Sequence, residues 1–201
     1  MTIKLFSGTP GSGKSLHCAS KIYYSLRSGR PIIANFEINT SLIPKNKGSF
    51  TCVNNKDLTP DYLREYSNNY FSSHSFKEEK ILLVIDEAQI MFNSRNWNAN
   101  GRDDWIWFFS NHRKYGYEIV LIAQFDRMLD RQIRALLEYE FIHRKVSNYG
   151  YKGKAMSLVA GGHLFVAVEV WYPMKERVGS EFFKAKKKFY QIYDTYNKFD
   201  K

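Results

Sequence analysis

Eight consecutive residues near the amino terminus have the types and spacing needed to bind the phosphates of a nucleotide. Residues 8–15 read Gly-Thr-Pro-Gly-Ser-Gly-Lys-Ser, which fits the pattern G-x-x-x-x-G-K-[ST]. Glycines allow the backbone to wrap closely around phosphate with its amides directed inward, and the amino terminus of a following helix adds positive potential. The predicted nucleotide-binding set is Gly8, Thr9, Pro10, Gly11, Ser12, Gly13, Lys14, Ser15 and Leu16.

Two residues of this phosphate loop have particular roles in the prediction. We expect Lys14 to bridge the β- and γ-phosphates and Ser15 to place its hydroxyl on Mg²⁺. The alternative is a glycine-rich turn that contains a lysine by chance. The loop follows an apolar strand pattern at residues 3–7 and opens a helix pattern, which is the context that the motif requires and which favours nucleotide binding.

An acidic pair, Asp86 and Glu87, follows the apolar run at residues 81–85. Phosphate hydrolysis needs a metal tether and an oriented water in addition to a phosphate loop. We predict that Asp86 holds Mg²⁺ from the side opposite Ser15 and that Glu87 is the general base for the attacking water. The alternative is an acidic cap at the start of a helix. The second carboxylate favours an ATPase over a nucleotide kinase.

Gln124 ends the strand pattern at residues 118–123. In ATPases that have an additional catalytic glutamate, a polar residue at the tip of the central strand senses the γ-phosphate. Gln124 therefore completes a predicted catalytic set with Lys14 and Glu87. Its alternative role is that of a solvated residue at the end of a strand.

The elements that position these side chains alternate between strand and helix patterns, which predicts an α/β fold. We expect a P-loop NTPase with a mostly parallel central sheet of about five strands flanked by helices. The predicted strands are residues 3–7, 31–38, 80–86, 118–123 and 140–146. The predicted helices are residues 14–28, 103–114 and 130–138, with a short helix at 60–66 inside an otherwise irregular segment.

The pattern changes after residue 146, so we divide the chain into an ATPase core at 1–146 and a C-terminal extension at 147–201. Residues 157–160 and 164–171 flank Gly161 and Gly162, which predicts a β-hairpin packed on the core. A basic run, Lys184, Lys186, Lys187 and Lys188, then leads into a helix pattern. This run is either a solvated turn or a contact with anionic lipid or nucleic acid.

Composition narrows the possible classes of protein. The 201 residues have a net charge of +10 and a pI near 9.5, which indicates acidic partners such as nucleic acid, an anionic membrane or nucleotide phosphates. The only cysteines, Cys18 and Cys52, exclude a zinc cluster made of cysteine and fit a reducing compartment. No apolar run is long enough to span a membrane, and no signal peptide is visible, so we expect a cytoplasmic chain.

Together with the phosphate loop, five segments resemble the zonula occludens toxin-like (Zot) family, the filamentous-phage assembly ATPases. The segments are residues 85–89, 92–97, 108–116, 119–124 and 130–134. The resemblance implies an ATPase domain at the inner face of the host cell membrane, which works with phage coat and assembly proteins and an outer channel on single-stranded DNA. The family continues into a transmembrane helix and a far-side domain, so we expect this chain to be a truncated motor domain or an anchorless relative.

Multimeric ATPases often complete the site of one subunit with an arginine of its neighbour. The candidates for this arginine finger are Arg95, Arg113, Arg131 and Arg134. Each also has the simpler explanation of a solvated or ion-paired side chain. A homo-oligomeric ring is expected on this basis, with a hexamer suggested by analogy with related ring ATPases.

Three functions follow from these features. The leading hypothesis is a Mg²⁺-dependent ATPase motor that drives assembly and extrusion of filamentous phage across the inner membrane. One alternative is a nucleic-acid translocase or helicase-like ATPase, in which the positive charge and the aromatic residues line a DNA channel. The other is a module that binds nucleotide without hydrolysing it and uses it to order an interface.

Overall fold

Eight strands and six α-helices occur in the part of the chain that the computed structural model describes, residues 2–93 and 101–193. The strands are β1 (Ile3–Ser7), β2 (Ile32–Ala34), β3 (Phe50–Cys52), β4 (Ile81–Ile85), β5 (Tyr117–Ile122), β6 (Tyr139–Lys145), β7 (Leu164–Trp171) and β8 (Glu176–Lys184). The helices are α1 (Lys14–Arg27), α2 (Pro60–Ser72), α3 (Arg102–Asn111), α4 (Arg131–Ala135), α5 (Gly150–Val159) and α6 (Lys187–Ile192).

All described strands belong to one sheet, in the order β3-β2-β4-β5-β1-β6-β7-β8. The first six strands in this order are parallel, and β7 and β8 continue the sheet in antiparallel pairing. The predicted α/β fold with a mostly parallel sheet is therefore confirmed. Strand β5 lies between β1, which leads into the phosphate loop, and β4, which leads into the acidic pair.

The parallel part of the sheet has six strands instead of about five, because β3 lies within the segment predicted to be irregular. Its three residues, two half-buried and one exposed, are too few to show an alternating pattern. Helix α2, in the same segment, continues to Ser72 and is longer than predicted. Its first turn has the expected signals, since Pro60 occupies the start and the Thr59 hydroxyl accepts a hydrogen bond of 3.2 Å from the Tyr62 amide.

Helices cover both faces of the parallel strands, which explains why β4 is apolar at all five positions. Alternate side chains of the sheet, such as Leu83, pack against Phe108 and Phe109 on the face covered by α2, α3 and α4. The intervening side chains, such as Val84, pack on the opposite face with Ile22 of α1 and the other residues of that core. No helix within residues 2–93 and 101–193 is long and apolar enough to cross a membrane.

The hairpin at the carboxyl end differs in its strands from the predicted one. Residues 157–159 belong to α5, and the partner of β7 in the hairpin is β8, which starts at Glu176. Strand β8 is mostly exposed at the sheet edge, so it shows no apolar alternation that would have revealed it. After β8, α6 packs on α1 through Phe189, whose ring contacts Tyr23. The division of the chain at residue 146 stays a prediction.

A buried carboxylate ties the amino end of β5 to three other elements. Glu118 forms ion pairs with Lys4 at 2.8 Å, with Lys21 at 2.7 Å and with Arg30 at 2.8 Å. Burial by itself would raise the pKa of Glu118, but Lys21 and Lys4 outweigh this effect and lower the pKa to about 2. Three of the chain's positively charged side chains are therefore paired within the fold, where they stabilise it.

Candidate nucleotide-binding site

The phosphate loop lies at the carboxyl end of β1 and leads directly into α1. The Gly8 amide donates a hydrogen bond of 3.0 Å to the Gln124 carbonyl, which fixes the loop to the segment after β5. Gly8 has a φ of 139°, and a Cβ there would lie 2.5 Å from the His143 carbonyl oxygen. Gly13 has a φ of 97°, and a Cβ there would lie 2.7 Å from the Phe165 ring. Both positions therefore require glycine, for backbone conformation and for space.

Lys14 folds back over this loop. Its ammonium group donates hydrogen bonds to the Gly8 carbonyl at 2.6 Å and to the Thr9 carbonyl at 3.2 Å. Burial lowers the pKa of Lys14, and the nearby carboxylates of Glu87 and Asp86 partly oppose that shift. The lysine is thus held at the mouth of the loop by carbonyl groups that phosphate oxygens could replace.

Asp86 follows β4 immediately and is fixed through both its backbone and its carboxylate. The Asn35 amide group donates to the Asp86 carbonyl at 2.8 Å, and the Asp86 amide donates to Asn35 Oδ1 at 2.7 Å. One carboxylate oxygen, Oδ1, accepts from the Glu87 amide at 2.8 Å, and the other, Oδ2, accepts from the Tyr193 hydroxyl. Burial raises the pKa of Asp86, although these two hydrogen bonds act in the opposite direction.

Glu87 stands at the turn after β4 in a left-handed conformation, with a φ of 48°. A non-glycine residue with this φ is uncommon and is retained where surrounding contacts fix it. Here the Ala88 amide donates to the Ile122 carbonyl at 2.8 Å, which ties the turn to β5. The Gln89 side-chain amide donates to Glu87 Oε2. Glu87 is therefore at the same end of the parallel strands as Lys14, which opens the helix after β1.

Gln124 lies two residues beyond the end of β5. Because β5 separates β1 from β4, Gln124 lies between the phosphate loop and the acidic pair in the order of the sheet. It lines a cavity of about 500 Å³ with Gly8, Thr9 and residues of β6. Crevices at the carboxyl ends of parallel strands are the usual ligand sites of open α/β sheets. The structure thus brings Lys14, Asp86, Glu87 and Gln124 to one edge of the sheet.

The residues at this edge fit a nucleotide with Mg²⁺. Ser12 Oγ in the loop is buried and has no hydrogen-bond partner among the described residues. Ser15 and Asp86 offer the hard oxygen atoms that Mg²⁺ prefers. Within residues 2–93 and 101–193 no three His, Cys, Asp or Glu side chains form a cluster that could hold a metal. A Mg²⁺ ion would therefore take further ligands from phosphate and water, as it commonly does.

Two histidines that the sequence did not single out support the base of the loop. His17 Nδ1 lies 2.8 Å from His143 Nε2, and His143 Nδ1 lies 3.1 Å from the Ser7 carbonyl and 2.8 Å from the Phe141 carbonyl. These contacts assign the His143 proton to Nδ1, so that Nε2 accepts from His17. Burial lowers the pKa of His17 to about 3 and that of His143 to about 4, so both rings are neutral at pH 7.

Asn35 and Tyr193 are two further site residues that sequence reasoning missed. A polar residue directly after the apolar run of β2 could have indicated Asn35. No local signal marks Tyr193, because 107 positions separate it from Asp86. Burial and the charge of Asp86 raise the pKa of Tyr193, and the Ser15 side chain is near enough to oppose that shift slightly.

The arginine candidates are spread over the molecule. Arg95 lies outside the described residues. Arg113 lies in the turn before β5, near Glu138 at 3.8 Å, at the opposite end of that strand from Gln124. Arg131 and Arg134 lie on α4, where Arg131 is exposed. None is assigned a role by these positions, and the arginine finger stays a prediction.

Part of the basic run near the carboxyl end packs on α1. The Lys188 ammonium group lies 4.4 Å from the centre of the Tyr23 ring and 5.4 Å from that of Tyr24. Lys184 ends β8, and Lys186 precedes α6. Contact of this run with a membrane or with nucleic acid stays a prediction.

Nearly the whole chain matches one protein family. The family model for zonular occludens toxin (Zot) matches residues 2–198. The chain belongs to the Zot family. The resemblance predicted from the motifs is thereby confirmed.

The relatives of this chain include gene 1 proteins of several phages. The gene 1 protein of Enterobacteria phage fd is 30% identical over 176 residues, a match that covers 82% of this chain and 49% of that protein. The gene 1 protein of Enterobacteria phage I2-2 is 28% identical over 169 residues, covering 82% of this chain and 46% of that protein. The chain therefore spans about half the length of these relatives.

Solved structures share the fold of this Zot-family chain. The N-terminal domain of zonular occludens toxin from Neisseria meningitidis superposes with a TM-score of 0.56 at 17% identity, covering 96% of this chain and 98% of that domain. The genome packaging NTPase of Sulfolobus turreted icosahedral virus 2, solved with ATP-gammaS, gives 0.54 at 15% identity, covering 92% and 98%. These likenesses confirm the predicted P-loop NTPase fold.

Proposed function

We propose that this chain is an ATP-hydrolysing motor domain that drives assembly and extrusion of filamentous phage across the inner membrane. The observation that carries the proposal is the meeting of Lys14, the acidic pair and Gln124 at the carboxyl edge of the sheet, on three neighbouring strands. Membership of the Zot family and similarity to phage gene 1 proteins support the biological setting.

In this proposal the loop amides and Lys14 bind the nucleotide phosphates, and the Ser15 hydroxyl and the Asp86 carboxylate would hold Mg²⁺. The bound ion would offset the negative charge of the phosphates. Glu87 accepts a proton from the attacking water as that water forms its bond to the γ-phosphorus. The bond from this phosphorus to the β,γ-bridging oxygen breaks, and ADP leaves with the electron pair. Gln124, on the intervening strand, contacts the γ-phosphate end of the site and responds to its loss.

The proposal includes a homo-oligomeric ring, with a hexamer as the candidate stoichiometry. An arginine from a neighbouring subunit would stabilise the charge that develops in the transition state. Among the described candidates, Arg113 and Arg131 both have exposed side chains, so these two are the first to test as the arginine finger. Phage coat and assembly proteins, an outer channel, single-stranded DNA and the inner membrane surface are the proposed partners.

The activity is tested with ATP, Mg²⁺ and two variants. We expect slow Mg²⁺-dependent hydrolysis by the unchanged chain, and no nucleotide binding by Lys14→Ala. Glu87→Gln should retain binding and lose roughly 10²- to 10⁴-fold in turnover, the usual contribution of a general base. Glu78→Gln, at an exposed glutamate ahead of β4, is the matched control and should hydrolyse at the unchanged rate.

Three outcomes would change the proposal. If Glu87→Gln hydrolyses ATP as fast as the unchanged chain, Glu87 is not the base. Binding without any turnover would favour a nucleotide-gated module instead. Strong stimulation of hydrolysis by single-stranded DNA would favour a nucleic-acid translocase, for which the net charge of +10 is the supporting feature.

A further inference from the structure

Tyr193, the last described residue, reaches the predicted metal site from the carboxyl end of the chain. Its ring is buried in the core on the α1 face of the sheet and meets the Phe36 ring edge-on, with the ring centres 4.9 Å apart. The Asn39 amide donates a hydrogen bond of 2.9 Å to the Ile192 carbonyl, so the backbone next to the tyrosine is also fixed. The ring and the backbone at Tyr193 are therefore held in place by contacts that do not involve its hydroxyl.

The Tyr193 hydroxyl donates a hydrogen bond to Asp86 Oδ2. Asp86 Oδ1 accepts from the Glu87 amide at 2.8 Å, so one donor holds each oxygen of this carboxylate. Ser15, the other predicted metal ligand, is a near neighbour of the same phenol. One side chain from the carboxyl end thus adjoins both residues that would hold Mg²⁺.

Two features argue for positioning instead of simple packing. A phenylalanine would fill the same space against Phe36, so the hydroxyl adds only its contact with the site. Each carboxylate oxygen has two acceptor positions, so Asp86 Oδ2 can accept from Tyr193 and still keep a second lone pair available for Mg²⁺. Hydrogen bonds of this kind orient carboxylates that ligate metals, and their loss commonly weakens metal affinity 10- to 100-fold.

We propose that Tyr193 is a positioning residue for the metal site, whose hydroxyl holds the Asp86 carboxylate toward Ser15. This inference rests on the proposed function, since it assigns Asp86 and Ser15 to Mg²⁺. It also places the segment from α6 to Tyr193 in the nucleotide site, although this segment follows the hairpin and lies far from the phosphate loop in sequence.

The experiment compares the affinity for ATP-gammaS in Mg²⁺ with the affinity in EDTA. For Tyr193→Phe we expect the tightening by Mg²⁺ to fall about tenfold, with the affinity in EDTA unchanged. Tyr190→Phe is the matched control, because Tyr190 lies three residues earlier, on α6, and its side chain is exposed. It should behave as the unchanged chain does.

A second variant tests whether Tyr193 acts through Asp86. In an Asp86→Asn background, Tyr193→Phe should cause no further loss of the Mg²⁺ effect, because the carboxylate that it positions is already absent. Additive losses would overturn the inference, as would an equal loss of affinity in Mg²⁺ and in EDTA, which indicates a structural role.

The remaining outcomes are equally decisive. An unchanged Mg²⁺ effect in Tyr193→Phe would show that the hydroxyl does not position the site. A larger Mg²⁺ effect would show that the phenol obstructs the metal. If the unchanged chain binds ATP-gammaS equally well in Mg²⁺ and EDTA, the proposed function itself fails, and this result is seen before any variant is compared.

Discussion

The two ends of β5 hold charged groups in contrasting ways. At the amino end, Glu118 is buried and paired with Lys4, Lys21 and Arg30 at distances of 2.7 to 2.8 Å. At the carboxyl end, the Lys14 ammonium group is bonded to two backbone carbonyls.

The carboxyl end also contains polar groups without partners and strained backbone. Ser12 Oγ and Gln89 Oε1 are buried with no hydrogen-bond partner within residues 2–93 and 101–193. Glu87 has a left-handed backbone conformation. Unsatisfied polar atoms and strained residues cost free energy and cluster at functional sites. Such atoms and conformations also occur at the amino end, at Thr2 Oγ1, His112 Nε2 and Glu79. The two ends therefore differ in their charged groups: a carboxylate paired with three cations at one end, and a lysine bonded to carbonyls that a ligand could replace at the other.

The largest expected change in the free energy of unfolding comes from Glu118, at the amino end of β5. Glu118→Ala leaves three cations close together without their carboxylate, so we expect the free energy of unfolding to fall by about 3 to 5 kcal/mol. Urea unfolding measures this loss, with Glu176→Ala at the exposed edge strand as the control. A loss under 1 kcal/mol would contradict the assignment of this cluster to stability.

An intermediate effect is expected from pH at the base of the loop. The pKa values of His17 and His143 are lowered to about 3 and about 4, so the folded chain keeps both rings neutral while the unfolded chain binds protons below pH 6.5. Stability is therefore complete above pH 6.5 and falls as the pH decreases toward 4, by up to about 1.4 kcal/mol per pH unit for each histidine.

Unfolding measured from pH 7 to 5 tests this dependence. His143→Gln should show a shallower loss, and the exposed His74→Gln should match the unchanged chain. Glu118 titrates in a separate range, since its pKa is lowered to about 2 and its contribution disappears only below about pH 4.5. If the unfolding free energy falls equally steeply with pH in all three proteins, the histidine pair does not cause the loss of stability.

The smallest effect is expected at Lys14 itself. Lys14→Met should change the unfolding free energy of the nucleotide-free chain by less than about 0.5 kcal/mol, because the lysine serves the ligand and not the fold. The same variant should lose the stabilisation by nucleotide, which for the unchanged chain is about 2.7 kcal/mol at a hundred times Kd. A large loss of unfolding free energy in Lys14→Met without nucleotide would show that Lys14, like Glu118, serves the stability of the fold.

The local parts of this site could be predicted from sequence. The phosphate loop is contiguous, and its glycines mark the conformations that the backbone must adopt. An apolar run that ends in acid was sufficient to place Asp86 at the end of a buried strand. Asn35 had a local signal as the polar residue after β2, but its contact with Asp86, 51 positions away, depends on the strand order. Tyr193 and the histidine pair could not be predicted, because their contacts join residues 107 and 126 positions apart.

The carboxyl-terminal third was harder to predict for other physical reasons. Helix α5 contains Gly150 and Gly153, which lower helix propensity, and its exposed apolar residues hide the helical period. Strand β8 is an edge strand with most of its side chains in solvent. Hydrophobic periodicity reports burial on one side of an element, so an element exposed on both sides leaves no such pattern.

The hydrogen bond from the Gly8 amide to the Gln124 carbonyl has a consequence for amide exchange. This bond of 3.0 Å joins the first residue of the loop to the tip of β5. The Gly8 proton can exchange with solvent only when the two separate, so its exchange rate reports that opening directly. The exchange rate of this one amide therefore measures how often the phosphate loop separates from the end of β5 in the native state.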